Sequence, residues 1–210
     1  MITRVVTISA SYGAGGSLIG PAVAERLALP FVDRAIPATV AHDLAVPVDE
    51  ALAHDQKLPG TFARAFARIA NIPSFGNTPL SAEVDSDELF REGTEKVLHD
   101  IAVGSGGVIL GRAAAIVLAR HPGALHVRLQ GSREGRLTRV TSHRPLTRAE
   151  VSRRLDEADR ARVAYVKHFY RTDPADPAHY HLVLDTIAIP DATSVELIAT
   201  AAAARHFAQE

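Results

Sequence analysis

The chain has 210 residues, of which 47% are hydrophobic and 22% charged, and its formal net charge is −1 at pH 7. These values predict a globular chain of one domain, because disordered chains have fewer apolar residues and a larger net charge. The charge balance argues against nucleic-acid binding, and the absence of cysteine excludes disulfides, thiolate metal sites and cysteine nucleophiles. No apolar stretch reaches the roughly 18 residues of a membrane span, so we expect a soluble, cytoplasmic protein without a membrane partner.

Short apolar runs alternate with helical patterns along the chain. The runs that predict strands are residues 4–9, 31–33, 108–110, 125–129 and 181–185. Helical patterns follow near Ser17 and after Arg112, and they also cover residues 87–103, 132–143, 147–170 and 192–207. Uninterrupted apolar strands suit a parallel sheet that is covered on both faces. The alternation therefore predicts an α/β fold with a five-stranded parallel sheet flanked by helices and joined by right-handed crossovers.

Two segments depart from this simple alternation. Residues 35–85 contain several prolines between short amphipathic pieces, which predicts a helical insertion of two or three short helices. Residues 144–172 contain a long basic helix, which a capping box opens with Thr147 at the N-cap and Glu150 three residues later.

A glycine-rich turn follows the first strand and is the most informative feature of the sequence. The phosphate-binding pattern G-x-x-x-x-G-K-[ST] aligns with residues 10–17, ASYGAGGS, where only Gly15 and Ser17 match it. Alanine stands at the first glycine position, and Gly16 stands where the pattern has lysine. The turn is either a phosphate cradle at a helix N-terminus or only a tight turn. A dinucleotide site of the G-x-G-x-x-G type also remains open, although Leu18 replaces its third glycine.

Charged residues beyond the other strands supply further candidates. Arg112 follows the third strand, at the edge where open α/β sheets bind ligands, and an arginine there can contact a phosphate. Arg160 and Arg162 lie on the long basic helix, either on a solvated face with ion pairs or on a lid that closes over phosphates. Asp185 and Thr186 end the last strand and either line a nucleotide base or are ordinary strand-end residues.

A metal site is a weak further alternative. Strand alternation places His179 and His181 on one side of the chain, but Asp185 is the one carboxylate of the strand run 181–185. Two histidines with a single nearby carboxylate are a poor donor set for a protein metal site.

Four stretches together resemble the cytidylate kinase-like family of P-loop kinases. They are VVTISASYGAGGSLIGPAVAERLALPFVD, VILGRAAAIVL, LDEADRARVAYVKHFY and DPAHYHLVLDT. The resemblance implies a three-layer sandwich of the P-loop NTPase type, with acceptor-binding helices at about residues 35–85 and a helical lid at about 144–172. It also implies a kinase that uses ATP and Mg²⁺ and phosphorylates a nucleoside monophosphate or a similar small molecule.

The resemblance assigns roles to particular residues. Donor phosphates would lie on the loop residues Ser11, Gly13, Ala14, Gly15, Gly16 and Ser17. Ser17 would also bind Mg²⁺, and Asp33 and Arg112 would bind the acceptor. The catalytic arginines would be Arg112, Arg160 and Arg162. Cytidylate kinases have lysine at the position of Gly16 and aspartate at the position of Ala113, so this chain has lost two polar groups of that pattern.

The sequence therefore predicts an ATP- and Mg²⁺-dependent kinase that acts on a cytidylate-like nucleotide or a related small acceptor. The alternative is a catalytically weak or inactive regulatory protein that binds nucleotides, because the loop lacks its lysine. The sequence leaves open whether the chain is a monomer or a homo-oligomer.

Overall fold

The computed structural model describes residues 5–32 and 83–207. Its sheet has five parallel strands in the order β2-β3-β1-β4-β5. The strands are β1 (Val5–Ala10), β2 (Phe31–Val32), β3 (Gly107–Leu110), β4 (Ala124–Gln130) and β5 (Leu182–Asp185). The predicted α/β fold with a five-stranded parallel sheet is confirmed.

Helices connect the strands along the described part of the chain. They are α1 (Gly16–Leu27), α2 (Glu83–Val103), α3 (Ala114–Val117), α4 (Arg133–His143), α5 (Arg148–Tyr170) and α6 (Asp191–Phe207). The predicted capping box opens α5, where the Thr147 side chain accepts a hydrogen bond from the Glu150 amide and the Glu150 carboxylate accepts one from the Thr147 amide. The Thr147 hydroxyl and the Thr147 amide both donate to the Glu150 carboxylate, and these two hydrogen bonds hold the pKa of that carboxyl below its usual value.

The larger apolar cluster of the described residues lies on one face of the central strands. Val6 and Ile8 of β1 are each 1% exposed and belong to a cluster with Ile19 and Val23 of α1 and Ile198 of α6. Burial of such side chains stabilises the fold by about 1.5–3 kcal/mol each. This core fixes α1 against the sheet, and the loop that precedes α1 is thereby held at the carboxyl end of β1.

A smaller apolar cluster positions the other side of that loop. Leu137 of α4 packs with Val151 and Leu155 of α5, and Tyr12 of the loop packs against this cluster. The loop therefore lies between α1 on one side and the pair α4 and α5 on the other. This arrangement brings residues of the predicted lid, 144–172, next to the glycine-rich turn.

The chain divides into two compact units, one of residues 1–34 and 98–210 and the other of residues 35–97. The first unit carries the whole sheet described above. The predicted acceptor-binding segment, about 35–85, lies outside the described residues except where α2 begins at Glu83. Within the described residues, none of the helices combines the length and apolar character that a membrane crossing requires.

Candidate functional site

The loop between β1 and α1 has a backbone shape that depends on glycine at two positions. Gly13 has φ 78° and Gly15 has φ 80°, in the left-handed region that side chains disfavour. A Cβ at Gly13 would lie 3.0 Å from Val140 Cγ2, and a Cβ at Gly15 would lie 2.7 Å from Arg139 Nη2. Both glycines are therefore required by conformation and by close neighbours.

The amides of this loop fall into two groups. The Tyr12 amide donates to the Asp159 carboxylate at 3.3 Å, and the Ala14 amide donates to the Ser11 carbonyl at 2.9 Å. Within the described residues, four other loop amides donate to no protein acceptor, namely those of Gly13, Gly15, Gly16 and Ser17. Such a set of free amides at a helix N-terminus is an arrangement that binds phosphate. The geometry favours the phosphate cradle over the mere tight turn.

Arg136 of α4 and Thr186, which follows β5, hold the loop in place through its carbonyls. Arg136, whose side chain is 8% exposed, donates from Nη1 to the Tyr12 carbonyl at 2.8 Å and forms an ion pair with Asp159 at 2.9 Å. The Thr186 hydroxyl donates to the Ala14 carbonyl at 2.8 Å. These contacts satisfy the Tyr12 and Ala14 carbonyls and support the loop in this conformation, so binding would cost little further ordering.

Packing explains why Gly16 stands where the phosphate-binding pattern has lysine. A Cβ at Gly16 would lie 2.6 Å from the Ala10 Cβ and 3.1 Å from Leu110 Cδ1. Ala10 itself stands at the first glycine of the pattern. The two departures from the pattern therefore belong together, because a methyl group at position 10 takes the space that the stem of a lysine at position 16 would need.

Arg139 of α4 brings a cation to the loop that has lost its lysine. Its guanidinium lies beside Gly15, where it donates from Nη1 to the Thr186 carbonyl at 3.1 Å and pairs through Nη2 with Asp191 at 2.5 Å. The sequence patterns alone assign no role to Arg139. The usable signal was that Arg139 lies on the helix that follows β4, whose carboxyl end is next to that of β1.

The two arginines predicted for the lid have different surroundings in the structure. Arg162 donates from Nη1 to the Ser11 hydroxyl at 3.3 Å and from Nη2 to Asp159 at 2.5 Å, so it reaches the start of the loop. Arg160 is exposed and lies close to Asp156. The hydrogen bond from Arg133 lowers the pKa of Asp156, and the charge of Arg160 adds to this effect. The structure thus brings only Arg162 of this pair to the loop.

The turn after β3 has an unusual backbone. Gly111, Arg112 and Ala113 have φ values of 82°, 57° and 52°, so three successive residues are left-handed and two of them are not glycine. Each non-glycine residue in this conformation costs about 1–2 kcal/mol. Strain of this kind is concentrated at functional sites, and the ligand role of Arg112 stays a prediction. Asp33, the other predicted acceptor residue, lies outside the described residues.

We expect that replacing Ala113 with glycine stabilises the fold by a few tenths to about 1 kcal/mol, because relief of strain exceeds the entropy that glycine gains when unfolded. Urea unfolding of the variant measures this gain. The matched control is Ala28→Gly, since Ala28 has φ 53°, is exposed and ends α1 far along the chain from this turn. If Ala28→Gly raises the free energy of unfolding and Ala113→Gly lowers it, the packing of the Ala113 methyl group outweighs the backbone strain at that position.

The remaining candidates have structural partners. The Asp185 carboxylate accepts hydrogen bonds from the amides of Ile187 and Ala188 at 2.9 and 3.3 Å. The His181 ring stacks on His126, and His179 Nε2 lies 2.8 Å from the Thr172 hydroxyl. Over residues 5–32 and 83–207, no group of three or more acidic, histidine or cysteine side chains is placed to hold a metal ion.

The sheet order, the glycine loop after β1 and the helices around it define an α/β fold with a five-stranded parallel sheet. Residues 5–188 match the family model described as the cytidylate kinase-like family. Because this match covers most of the chain, the chain belongs to the cytidylate kinase-like family.

Comparison with a solved structure supports the fold. An uncharacterized protein from Eubacterium ventriosum ATCC 27560 is 17% identical with a TM-score of 0.65, over 96% of this chain and 99% of that chain. Weaker similarity extends to a gluconokinase from Sinorhizobium meliloti 1021, with 18% identity, a TM-score of 0.47, and coverage of 97% of this chain and 93% of that chain. A shikimate kinase from Bacteroides thetaiotaomicron has 15% identity and a TM-score of 0.45, and the match covers 94% of this chain and 95% of that chain.

Among curated proteins, a uronate isomerase from Corynebacterium glutamicum is 29% identical over 113 residues, which is 54% of this chain. The match spans only 21% of the length of that isomerase.

Proposed function

We propose that this chain transfers a phosphoryl group from ATP to a nucleoside monophosphate, cytidylate-like, or to a related small acceptor. The observation that carries the proposal is the set of loop amides, at Gly13, Gly15, Gly16 and Ser17, that have no acceptor among the described residues. Phosphoryl transfer needs positioning and charge neutralisation rather than a covalent intermediate. Membership of a kinase-like family supports the same conclusion.

The arginines around the loop take over the neutralising role of the missing lysine. Arg139 lies beside Gly15, and Arg162 lies beside Ser11, so the two approach the loop from α4 and α5. Arginine can bind phosphate through two parallel hydrogen bonds, which suits this role. Arg112 and Asp33 remain the proposed acceptor residues, since each follows a strand at the edge where ligands bind in this type of sheet.

The residues present fit a bound nucleotide and leave room for Mg²⁺. The free loop amides suit the donor phosphates. Ser17 is exposed at the second position of α1, where its hydroxyl is available as an oxygen ligand. Mg²⁺ keeps several waters and needs only one or two protein ligands beside the phosphates. When bound, Mg²⁺ would supply neutralising charge to the phosphate oxygens.

A second candidate is a nucleotide-binding regulatory protein without turnover. The observation that favours it is that carboxylates already engage both arginines, Arg139 through Asp191 and Arg162 through Asp159, at 2.5 Å in each case. In a kinase these ion pairs must break or lengthen when phosphates bind, because the arginines then contact the phosphate oxygens. In a regulatory protein they would persist in the complex. Product formation separates the two candidates.

We expect ATP to stabilise the protein against thermal unfolding, because a ligand at 100 times its dissociation constant adds about 2.7 kcal/mol. Melts with a panel of nucleoside triphosphates and monophosphates, each with and without Mg²⁺, measure the shift. Pairs that stabilise are then assayed for phosphorylated product by chromatography. Stabilisation without product supports the regulatory candidate, and no shift with any triphosphate contradicts both.

A further inference from the structure

One face of the two central strands carries polar side chains beneath α5. Thr7 and Ser9 of β1 lie opposite His126 and Arg128 of β4 in the parallel register, and their side chains alternate with the apolar core residues of these strands. Thr7, His126 and Arg128 are 1%, 3% and 8% exposed. Strands in a sheet covered on both faces ordinarily carry valine, isoleucine and leucine there. A buried polar face on these strands therefore requires an explanation.

Arg128 is the most informative residue of this face. Its Nη1 donates to the Pro174 carbonyl at 3.0 Å and lies 3.5 Å from the Ser9 hydroxyl, and its guanidinium lies 5.7 Å from the centre of the Tyr180 ring. Its buried Nε has no hydrogen-bond partner. Among the residues that the structure describes, no carboxylate contacts this guanidinium, so its contacts are with neutral groups. A buried charge is costly unless a counter-charge compensates it.

Arg128 lines a pocket of about 420 Å³ that opens between this face and α5. That volume is within the range of small-molecule sites. The other polar residues of the lining are Ser11, Gln130, Ser132, Arg136, Asp159, Arg162 and Asp185.

The other charges of the pocket already have partners. Asp159 pairs with Arg136 at 2.9 Å and with Arg162 at 2.5 Å. The Asp185 carboxylate, also in the lining, accepts two backbone amides through Oδ1. Among the charged residues that line this pocket, Arg128 is thus the cation that lacks a counter-charge within the described part of the chain.

We propose that this pocket binds the anionic group of a small molecule, a carboxylate or a phosphate, with the Arg128 guanidinium as its cationic contact. The hydroxyls of Ser11 and Ser132 and the side-chain amide of Gln130 are neutral polar groups of the same lining. The site is distinct from the free amides of the glycine loop, none of which lines the pocket. The pocket does not rest on the proposed function, because Arg112, a proposed acceptor residue, does not line it.

The nuclear magnetic resonance signal of the Arg128 Nε–Hε group tests the proposal directly. The signal is assigned by its loss in Arg128→Lys, and the wild-type protein is then titrated with inorganic phosphate and, separately, with succinate at millimolar concentrations. We expect a saturating downfield shift with at least one probe, and the tighter of the two identifies phosphate or carboxylate as the preferred group. Shifts confined to the loop amides, or no shift with either probe, would overturn the proposal.

Thermal melts with the same probes supply a second measurement. Arg128→Met should weaken anion binding about tenfold or more, since charge-assisted hydrogen bonds contribute that much, and should leave the ligand-free melting temperature unchanged or raised. The control is Arg133→Gln, because Arg133 pairs with Asp156 at half-exposed positions outside the pocket and its loss removes the same charge. If both variants weaken anion binding equally, the effect comes from the change in net charge alone, and the proposal is contradicted.

The proposed pocket and the proposed function fail in different ways. If ATP moves no loop amide while the Arg128 signal responds to anions, the kinase fails and the pocket stands. If ATP moves the loop amides and the Arg128 signal responds to neither anion, the pocket fails and the kinase stands.

Discussion

Replacing Arg162 with alanine should lower kcat by at least about a hundredfold, since an arginine on the transferring phosphoryl group can contribute about 10³–10⁵ in rate. Arg162 reaches the Ser11 hydroxyl at the start of the loop, from a helix whose Asp159 also holds the Tyr12 amide. Stability should fall by only about 1 kcal/mol, because Asp159 keeps its ion pair with Arg136. Steady-state kinetics with the active pair of nucleotides, beside a thermal melt, measures both quantities.

The matched control for that prediction is Arg160→Ala. Sequence reasoning gave Arg160 the same catalytic role, whereas the structure leaves it exposed and close to Asp156, two residues away from Arg162 on the same helix. We therefore expect Arg160→Ala to retain nearly full kcat. Full activity in Arg162→Ala would remove α5 from the catalytic site. A large loss in Arg160→Ala would show that α5 turns or closes further when nucleotides bind.

Restoring lysine at position 16 should not restore a standard phosphate-binding loop. Gly16→Lys places a Cβ 2.6 Å from the Ala10 Cβ and 3.1 Å from Leu110 Cδ1, so we expect a loss of about 1–3 kcal/mol from overpacking. The kcat of this variant should rise by less than about tenfold. Adding Ala10→Gly should recover most of the lost stability, with a coupling energy of about 0.5–3 kcal/mol in the double-mutant cycle. Urea unfolding of the four proteins measures the cycle.

Two comparisons make this cycle interpretable. Ser17→Lys adds the same charge one residue later on the exposed side of α1, so its stability should equal that of the wild type. If Gly16→Lys is as stable as the wild type, Ala10 does not exclude the lysine and the packing explanation is wrong. If Gly16→Lys raises kcat by several orders of magnitude, the native loop is that of a crippled kinase.

Much of the fold was predictable because its determinants are local. The strand runs, the glycine-rich turn and the capping box of Thr147 and Glu150 are patterns of neighbouring residues, and the structure has each of them. The turn was also predictable as the first part of the site, because strand–turn–helix order is itself a local signal. The predicted starts differ from the observed ones by one residue at Val5, Arg133 and Leu182, and by four residues at Glu83, where α2 begins.

The rest of the site depends on contacts between distant segments, which sequence patterns do not contain. In the sequence, Ala10 and Gly16 are two separate mismatches to the phosphate-binding pattern. Only the short distance between them shows that the alanine at position 10 requires the glycine at position 16. Arg139 is one of several arginines on its helix until the fold places it beside Gly15. Arg160 and Arg162 look alike in the sequence, and their different surroundings follow from which side of α5 packs against the loop.

The central claim is that donor phosphates lie on the free amides of the glycine loop, and amide chemical shifts test it most directly. Titration with a non-hydrolysable ATP analogue and Mg²⁺ should move the amide signals of Gly13, Gly15, Gly16 and Ser17 strongly downfield. The amides of Tyr12 and Ala14 serve as internal controls, because they already donate to Asp159 and to the Ser11 carbonyl and should move much less. If saturating analogue leaves the four amides where they were while shifting signals elsewhere, the loop is not the phosphate site and the account is wrong.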